Sequence, residues 1–225
     1  MVLTRKTDRE GLRFLFGAAL IAASIYVFYI GTARINSPEL FLMPERIGGA
    51  GSSCGVVVAG PLSVCIPRGI DVVPQGGGME IFSSRDRVRG SLEVIQGLPQ
   101  ENRWRASLKN PIIRAFLGDT DKMDTFELMD AILRHRYNPT LMGAKAALIP
   151  PWMKRDPQAR ILYTKDARGI VFYTPKQSLG LSFDGEKVVM MSVMGRIPAA
   201  ATAGILASAR VVTPEEPGTE PAGSS

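Results

Sequence analysis

The sequence predicts an α+β fold, an antiparallel sheet covered by helices and preceded by a single N-terminal transmembrane helix. Three observations predict it. Residues 14–33, FLFGAALIAASIYVFYIGTA, run for twenty residues without a charge. Short β-branched runs fill residues 54–96 and return at 160–194, with helix-cap signals between them at Asn110, Asp124 and Asn138. Strands, then helices, then strands and a last helix is the element order of an α+β domain rather than of alternating βαβ units. The composition agrees, since 45% hydrophobic and 21% charged residues are ordinary for a globular chain.

The apolar run comes first. Twenty helical residues rise about 30 Å, the hydrocarbon thickness of a bilayer. A core helix of that length would show a polar stripe, and this one has none. Tyr26 and Tyr29 fall toward its outer end, where interfacial aromatics are favoured. Arg5, Lys6, Arg9 and Arg13 precede the run, so the positive-inside rule leaves residues 1–13 in the cytoplasm and exports the rest. Gly31 and Ala33 also suit a signal-peptidase site, but the run is longer than the h-region of about 7–15 residues, which favours an uncleaved anchor. The expected setting is the bacterial inner membrane, with the domain in the periplasm.

Residues 34–53 then read as a juxtamembrane linker ending in GGAGSS, and residues 54–212 as the globular domain. Its first element carries the only two cysteines. Export puts Cys54 and Cys65 in an oxidising compartment. A hairpin centred on Ala59–Gly60 would set them directly opposite each other, within disulfide reach. Zinc would need more ligands than one histidine supplies, and a redox pair would more often read C-x-x-C. A structural staple is the expectation.

Further strands are expected at Met79–Ser83 and Ser91–Gln96, with the polar glycine loop PQGGG before them. Asn110-Pro111 opens a helix that Gly118 stops, and Asp124 with Glu127 makes a capping box for TFELMDAILRHR. Asn138-Pro139 opens a third helix. RILYT, GIVFYT, LGLSF and EKVVMMSVM then read as strands, the last two around an Asp184-Gly185 turn. A helix from Pro198 closes the domain, and the acidic residues 213–225 read as a disordered tail.

SVCIPRGIDV, residues 63–72, resembles the opening strand and Pro-x-Gly turn of the PsbP/Mog1-like family, and the terminal strands followed by one helix are similar too. The resemblance covers about residues 56–210. It implies an accessory or adaptor protein that assists a larger complex, and it supplies no catalytic residue.

Candidate chemistry is sparse. Gly51–Gly55, GSSCG, matches a nucleophile elbow as a string, but a linker precedes it and a β-branched run follows, so Ser53 lacks the strand-to-helix setting. His135 ends a helix between two arginines, as a solvated cap would. Asp119, Asp121 and Asp124 lack the spacing and glycine of an EF-hand loop and suit helix capping instead. No metal or cofactor set is expected. Arg85, Arg87 and Arg89 alternate in a strand connection and, if extended, would project from one face toward anionic headgroups or an acidic protein. They are the candidate interaction site. Residues 34–212 carry 23 basic and 16 acidic residues, a balance that favours anionic neighbours, but the bases are not interleaved with aromatics as nucleic-acid binding would require. The leading expectation is a non-catalytic accessory domain docking onto a membrane or envelope complex. The alternative is an exported hydrolase or transferase using carboxylates within residues 119–130.

Overall fold

The computed structural model describes residues 4–48, 54–83, 87–98, 101, 105, 108, 109, 111–165, 167–185 and 187–212. Ser53, Arg85, Asn110 and the tail 213–225 lie outside these described residues. The chain opens with α1 (Thr4–Asn36), whose segment Gly11–Asn36 is long and apolar enough to cross a membrane.

The domain that follows is α+β. Its large sheet has eight strands in the order β1-β7-β8-β9-β10-β6-β5-β4. These are β1 (Pro44–Ile47), β4 (Asp71–Gln75), β5 (Gly78–Ser83), β6 (Val88–Gln96), β7 (Arg160–Thr164), β8 (Gly169–Thr174), β9 (Gln177–Asp184) and β10 (Lys187–Met194). Two antiparallel meanders meet where β10 pairs with β6, from Lys187 opposite Gln96 to Met194 opposite Arg89. Only β1 runs parallel to its neighbour, β7. A small sheet, β11-β3-β2, combines β2 (Cys54–Ala59), β3 (Leu62–Pro67) and β11 (Arg210–Val211). The helices are α2 (Pro111–Leu117), α3 (Thr125–Arg134), α4 (Pro139–Leu148) and α5 (Ala199–Ser208).

Alternation along the strands divides the large sheet into two apolar faces. Ile161 and Tyr163, Ile170 and Phe172, and Leu181 and Phe183 pack under α2, α3 and α4 with Leu128, Met129, Ile132 and Leu133. Leu162, Val171, Val189, Met191 and Val193 face the other way, against Leu62, Val64 and Ile66 of the small sheet and Ile205 and Leu206 of α5. The predicted capping box of α3 is formed: the Glu127 N–H donates to Asp124 Oδ1 (2.9 Å), and the Asp124 N–H donates to Glu127 Oε2 (3.1 Å).

Three regions differ from the sequence expectation. Half of the expected linker is ordered structure. A 3-10 turn at Pro38–Phe41 buries Leu40 and Phe41 in the core, and residues 44–47 form β1. Pro74 and Gln75, expected to open a glycine loop, instead end β4, an edge strand where Pro74 costs no ladder hydrogen bond. The third difference concerns register. Cys54 and Cys65 are joined, with Cα atoms 5.5 Å apart, but they are diagonal neighbours on one face. Cys54 lies opposite Pro67 and Cys65 opposite Val56, because the turn is Gly60–Pro61 and not Ala59–Gly60. Gly60 takes φ +55°, and proline's fixed negative φ then suits the second position of a type II′ turn.

Candidate interaction face

One end of the large sheet gathers cations. Here β6 begins, β10 stops, and β8 turns into β9. Arg89 pairs across to Met194, which pairs in turn with Gln177 beside the Pro175–Lys176 turn. The Gly195 N–H donates to the Lys176 carbonyl (2.8 Å), holding Arg196 next to that turn. Beyond it, Trp152, Lys154, Arg155 and Asp156 face Lys176 and Gln177 across an open groove of about 590 Å³. Arg87, Arg89, Lys154, Arg155, Lys176 and Arg196 are all exposed, and among the described residues none forms an ion pair. Asp156 lines the groove, Glu80 lies diagonal to Arg89 on the adjacent strand, and Asp71 lies one strand further out.

Two of the three arginines singled out from sequence therefore belong to a larger basic end. They do not sit as an extended run would place them. Arg87 occupies a turn with φ +52°, and only with Val88 does the strand begin. Arg89 points away from buried Val88 onto an uncovered part of the sheet that also carries Glu80 and Glu93. The glycine at 195 is required where the two strand ends close up. Its φ is +112°, and a Cβ there would run into the Arg87 carbonyl and lie 2.8 Å from Val88 Cα. Nothing local in the sequence marks Lys154, Arg155, Lys176 and Arg196 as partners of these arginines. They come together only through strand order, and the Pro175–Lys176 turn is the one local signal that could have placed any of them.

The acidic segment is organised differently. Asp119 pairs with Lys122, Asp121 with Arg114, Asp124 with Arg168, and Asp130 with Arg134, while Glu127 closes the capping box. At its inner end lies a cleft of about 250 Å³ lined by Glu101, Arg105, Asp124, Thr125, Phe126 and Arg168. Arg105 Nε and the Thr125 hydroxyl both donate to Glu101 Oε1 (2.7 Å each), and the Leu98 N–H donates to Oε2 (3.1 Å). Burial works against the Glu101 charge, but these donors outweigh it and hold the carboxyl below its usual range. Asp124 is likewise lowered, its burial outweighed by Arg168 and the backbone N–H groups of α3. A carboxylate held in this way is ionised near neutrality and weakly basic, a poor setting for general acid–base work. The Arg168 guanidinium covers the Phe126 ring at 4.9 Å.

A third cluster was not legible as a site. Lys145 is 1% exposed, and its ammonium donates to the carbonyls of Leu42 (2.7 Å), Leu133 (2.8 Å) and His135 (3.1 Å). It thus ties the segment leaving α1 to the C-terminal end of α3, whose dipole favours a cation. Burial, reinforced by nearby Arg136, draws its pKa down to about 8. His135 is the C-cap residue of α3, as its helix-end position implied. Next to it, the Tyr26 hydroxyl of α1 donates to the Tyr137 carbonyl (2.6 Å), and Ile30 and Ala33 pack on the helical core.

No protein-family model matches the sequence, and no curated protein matches it. Among solved structures, a crystal structure of a protein from Bacteroides thetaiotaomicron is similar with a TM-score of 0.37 and 9% identity, over 73% of this chain and 51% of that one. The chain therefore spans about half the length of that protein, and a likeness this slight decides neither fold family nor function.

Proposed function

We propose that this protein is a membrane-anchored extracytoplasmic accessory domain, without catalysis of its own, that docks onto a larger membrane or envelope complex. The docking face is the basic end of the sheet, and its partner surface is acidic protein. One contrast carries the reading. Six exposed cations at one end of the sheet have no carboxylate partner among the described residues, whereas every carboxylate from Asp119 to Asp130 is engaged in an ion pair or a helix cap. That contrast favours docking over hydrolase or transferase chemistry at residues 119–130. The four bases before the apolar run favour a cytoplasmic N-terminus, and the Cys54–Cys65 bridge suits an oxidising compartment. The resemblance to PsbP/Mog1-like adaptors over residues 56–210 points the same way.

The test is co-purification of the full-length protein in mild detergent across a salt series. Exposed charge contacts are worth about 0–1 kcal/mol each, so the informative variant combines Arg87→Ser, Arg89→Ser and Lys176→Ser. It should release the partner at lower salt than the wild type while melting normally. Asp119→Ala with Asp121→Ala should leave the partner bound. Normal binding by the first variant, together with loss of a measurable turnover in the second, would reverse the assignment.

A further inference from the structure

We infer that the edge of the domain around Arg136 and Tyr137 is seated at the boundary between phospholipid headgroups and hydrocarbon, so that the anchor fixes the orientation of the domain rather than tethering it. The inference rests on α1 crossing the bilayer, and it follows from where the domain touches that helix. The last charged residue before the apolar run is Arg13. A hydrocarbon span of about twenty residues begun as early as Leu12 ends at Gly31, and one begun at Phe14 ends at Ala33. Tyr26 lies five to seven residues inside that outer end. At 1.5 Å per residue this is about 7–10 Å below the hydrocarbon boundary. Tilt only deepens it, because a tilted helix needs more residues to cross.

Yet the Tyr26 hydroxyl reaches the domain, donating to the Tyr137 carbonyl, and Ile30 and Ala33 contact the core above it. A domain held clear of the lipid could not make these contacts. The chemistry at the meeting point suits an interface. The hydroxyl and the carbonyl satisfy one another, which spares both a bare polar group in an apolar medium. Tyr137 is 43% exposed, its ring lies beside that of Phe41, and the Arg136 guanidinium sits 5.5 Å from its centroid. An exposed tyrosine with an arginine over it has the amphipathic character that headgroup layers accept. Arg34 is exposed at the end of α1, giving a second cation at that level for lipid phosphate. This face is distinct from the basic end of the sheet assigned to protein docking.

Spin labels on the full-length protein in phosphatidylethanolamine–phosphatidylglycerol vesicles test the seating. Arg136→Cys and Ile35→Cys are labelled singly, with Gln158→Cys in the open groove as the aqueous reference; the native cysteines are bridged and do not react. Ile35 is 81% exposed on α1, so its label reports depth without disturbing the domain. The Arg136 label should show an oxygen-over-nickel accessibility ratio several-fold above that at Gln158 and no smaller than that at Ile35. A ratio at Arg136 equal to the Gln158 value, in protein that floats with the vesicles, would overturn the seating while leaving the anchor intact. Protein that fails to float would overturn the anchor and the seating together. Strong spin–spin broadening at Arg136 that persists without lipid would assign the face to a second copy of the chain, and the seating would be wrong.

Discussion

Lys145→Met is the sharpest test of how the domain is held to the segment that follows α1. Methionine keeps the length of the stem and removes the ammonium. Three carbonyls, of Leu42, Leu133 and His135, then lose a charged donor at 2.7–3.1 Å. Hydrogen bonds to a charged group contribute about 1.5–3 kcal/mol each, so the gross loss is about 5–9 kcal/mol. Against it stands relief from burying a cation, which costs several kcal/mol. For the charge itself burial outweighs those bonds, as the lowered pKa shows, so what remains is the cost of three carbonyls left without a donor, about 3 kcal/mol. For a domain of this size each kcal/mol moves the midpoint by about 2–4 °C, so thermal unfolding in detergent should fall by about 6–12 °C. An unchanged or raised midpoint would show that the buried ammonium is not holding these segments together.

The same residue gives a pH dependence with a definite sign. Its pKa is drawn down to about 8 in the folded protein from an ordinary value near 10.5. Between those values the unfolded chain holds a proton that the folded chain has released, so this group adds stability as pH rises from 8 toward 10.5. Below pH 8 both states are protonated and its contribution is flat. The gap in midpoint between wild type and Lys145→Met should therefore widen over that window. A gap that narrows as pH climbs would contradict the burial argument.

Two further substitutions probe the framework. Cys65→Ser opens a bridge of sequence separation 11, and loss of the closed loop should cost about 3 kcal/mol on the chain-entropy model; reductant should lower the wild-type midpoint comparably and leave the variant unmoved. Gly195→Ala combines φ +112° with a Cβ aimed at the Arg87 backbone, and it should cost more than about 2 kcal/mol in chemical denaturation. Gly118→Ala, at φ +83° but with nothing within 4 Å, isolates the backbone cost alone and should lose about 1 kcal/mol. Equal losses at the two glycines would discount the close approach that brings the basic strand ends together.

Local signals were readable where a residue acts on its own neighbours. Asp124 and Glu127 announce the cap of α3, Gly185 marks the β9–β10 turn although Asp184 pairs with Lys187 inside the strands, and short apolar, β-branched runs mark β7 to β10. The misread places depended on distant partners. Glu45 and Arg46 look like linker residues because nothing in PERI reveals that β7 offers a free edge. Val72 and Val73 are followed by a proline and glycines, and only the edge position of β4 makes that acceptable in a strand. The cysteine pair was legible but its register was not, since one residue's shift of the turn toward Pro61 changes every opposite pair. For the candidate face the limit is the same. Arg87 and Arg89 are neighbours in sequence, but Lys154 and Lys176 join them only because β10 lies between β9 and β6. Lys145 was hidden for another reason. A lysine in a helix ordinarily reads as a solvated surface residue, and only three inward-facing carbonyls make its burial tolerable.

On the proposed reading, the basic end poses an energetic difficulty that the anchor resolves. Six exposed cations at about 0–1 kcal/mol each cannot hold a freely diffusing partner against the translational and rotational cost of association. Confinement to one membrane changes the terms, because two proteins sharing a bilayer meet at a high effective concentration. Orientation reduces the cost further. Ile30, Ala33 and the Tyr26–Tyr137 hydrogen bond join α1 to the helical core, and Lys145 joins the segment after α1 to α3. A domain held in this way offers its basic end at one height and one angle, so little rotational freedom is left to lose on docking. Weak, salt-sensitive contacts then suffice, and the unpaired arginines and lysines can remain individually replaceable. The apolar helix is in this sense part of the binding site, although it need not touch the partner.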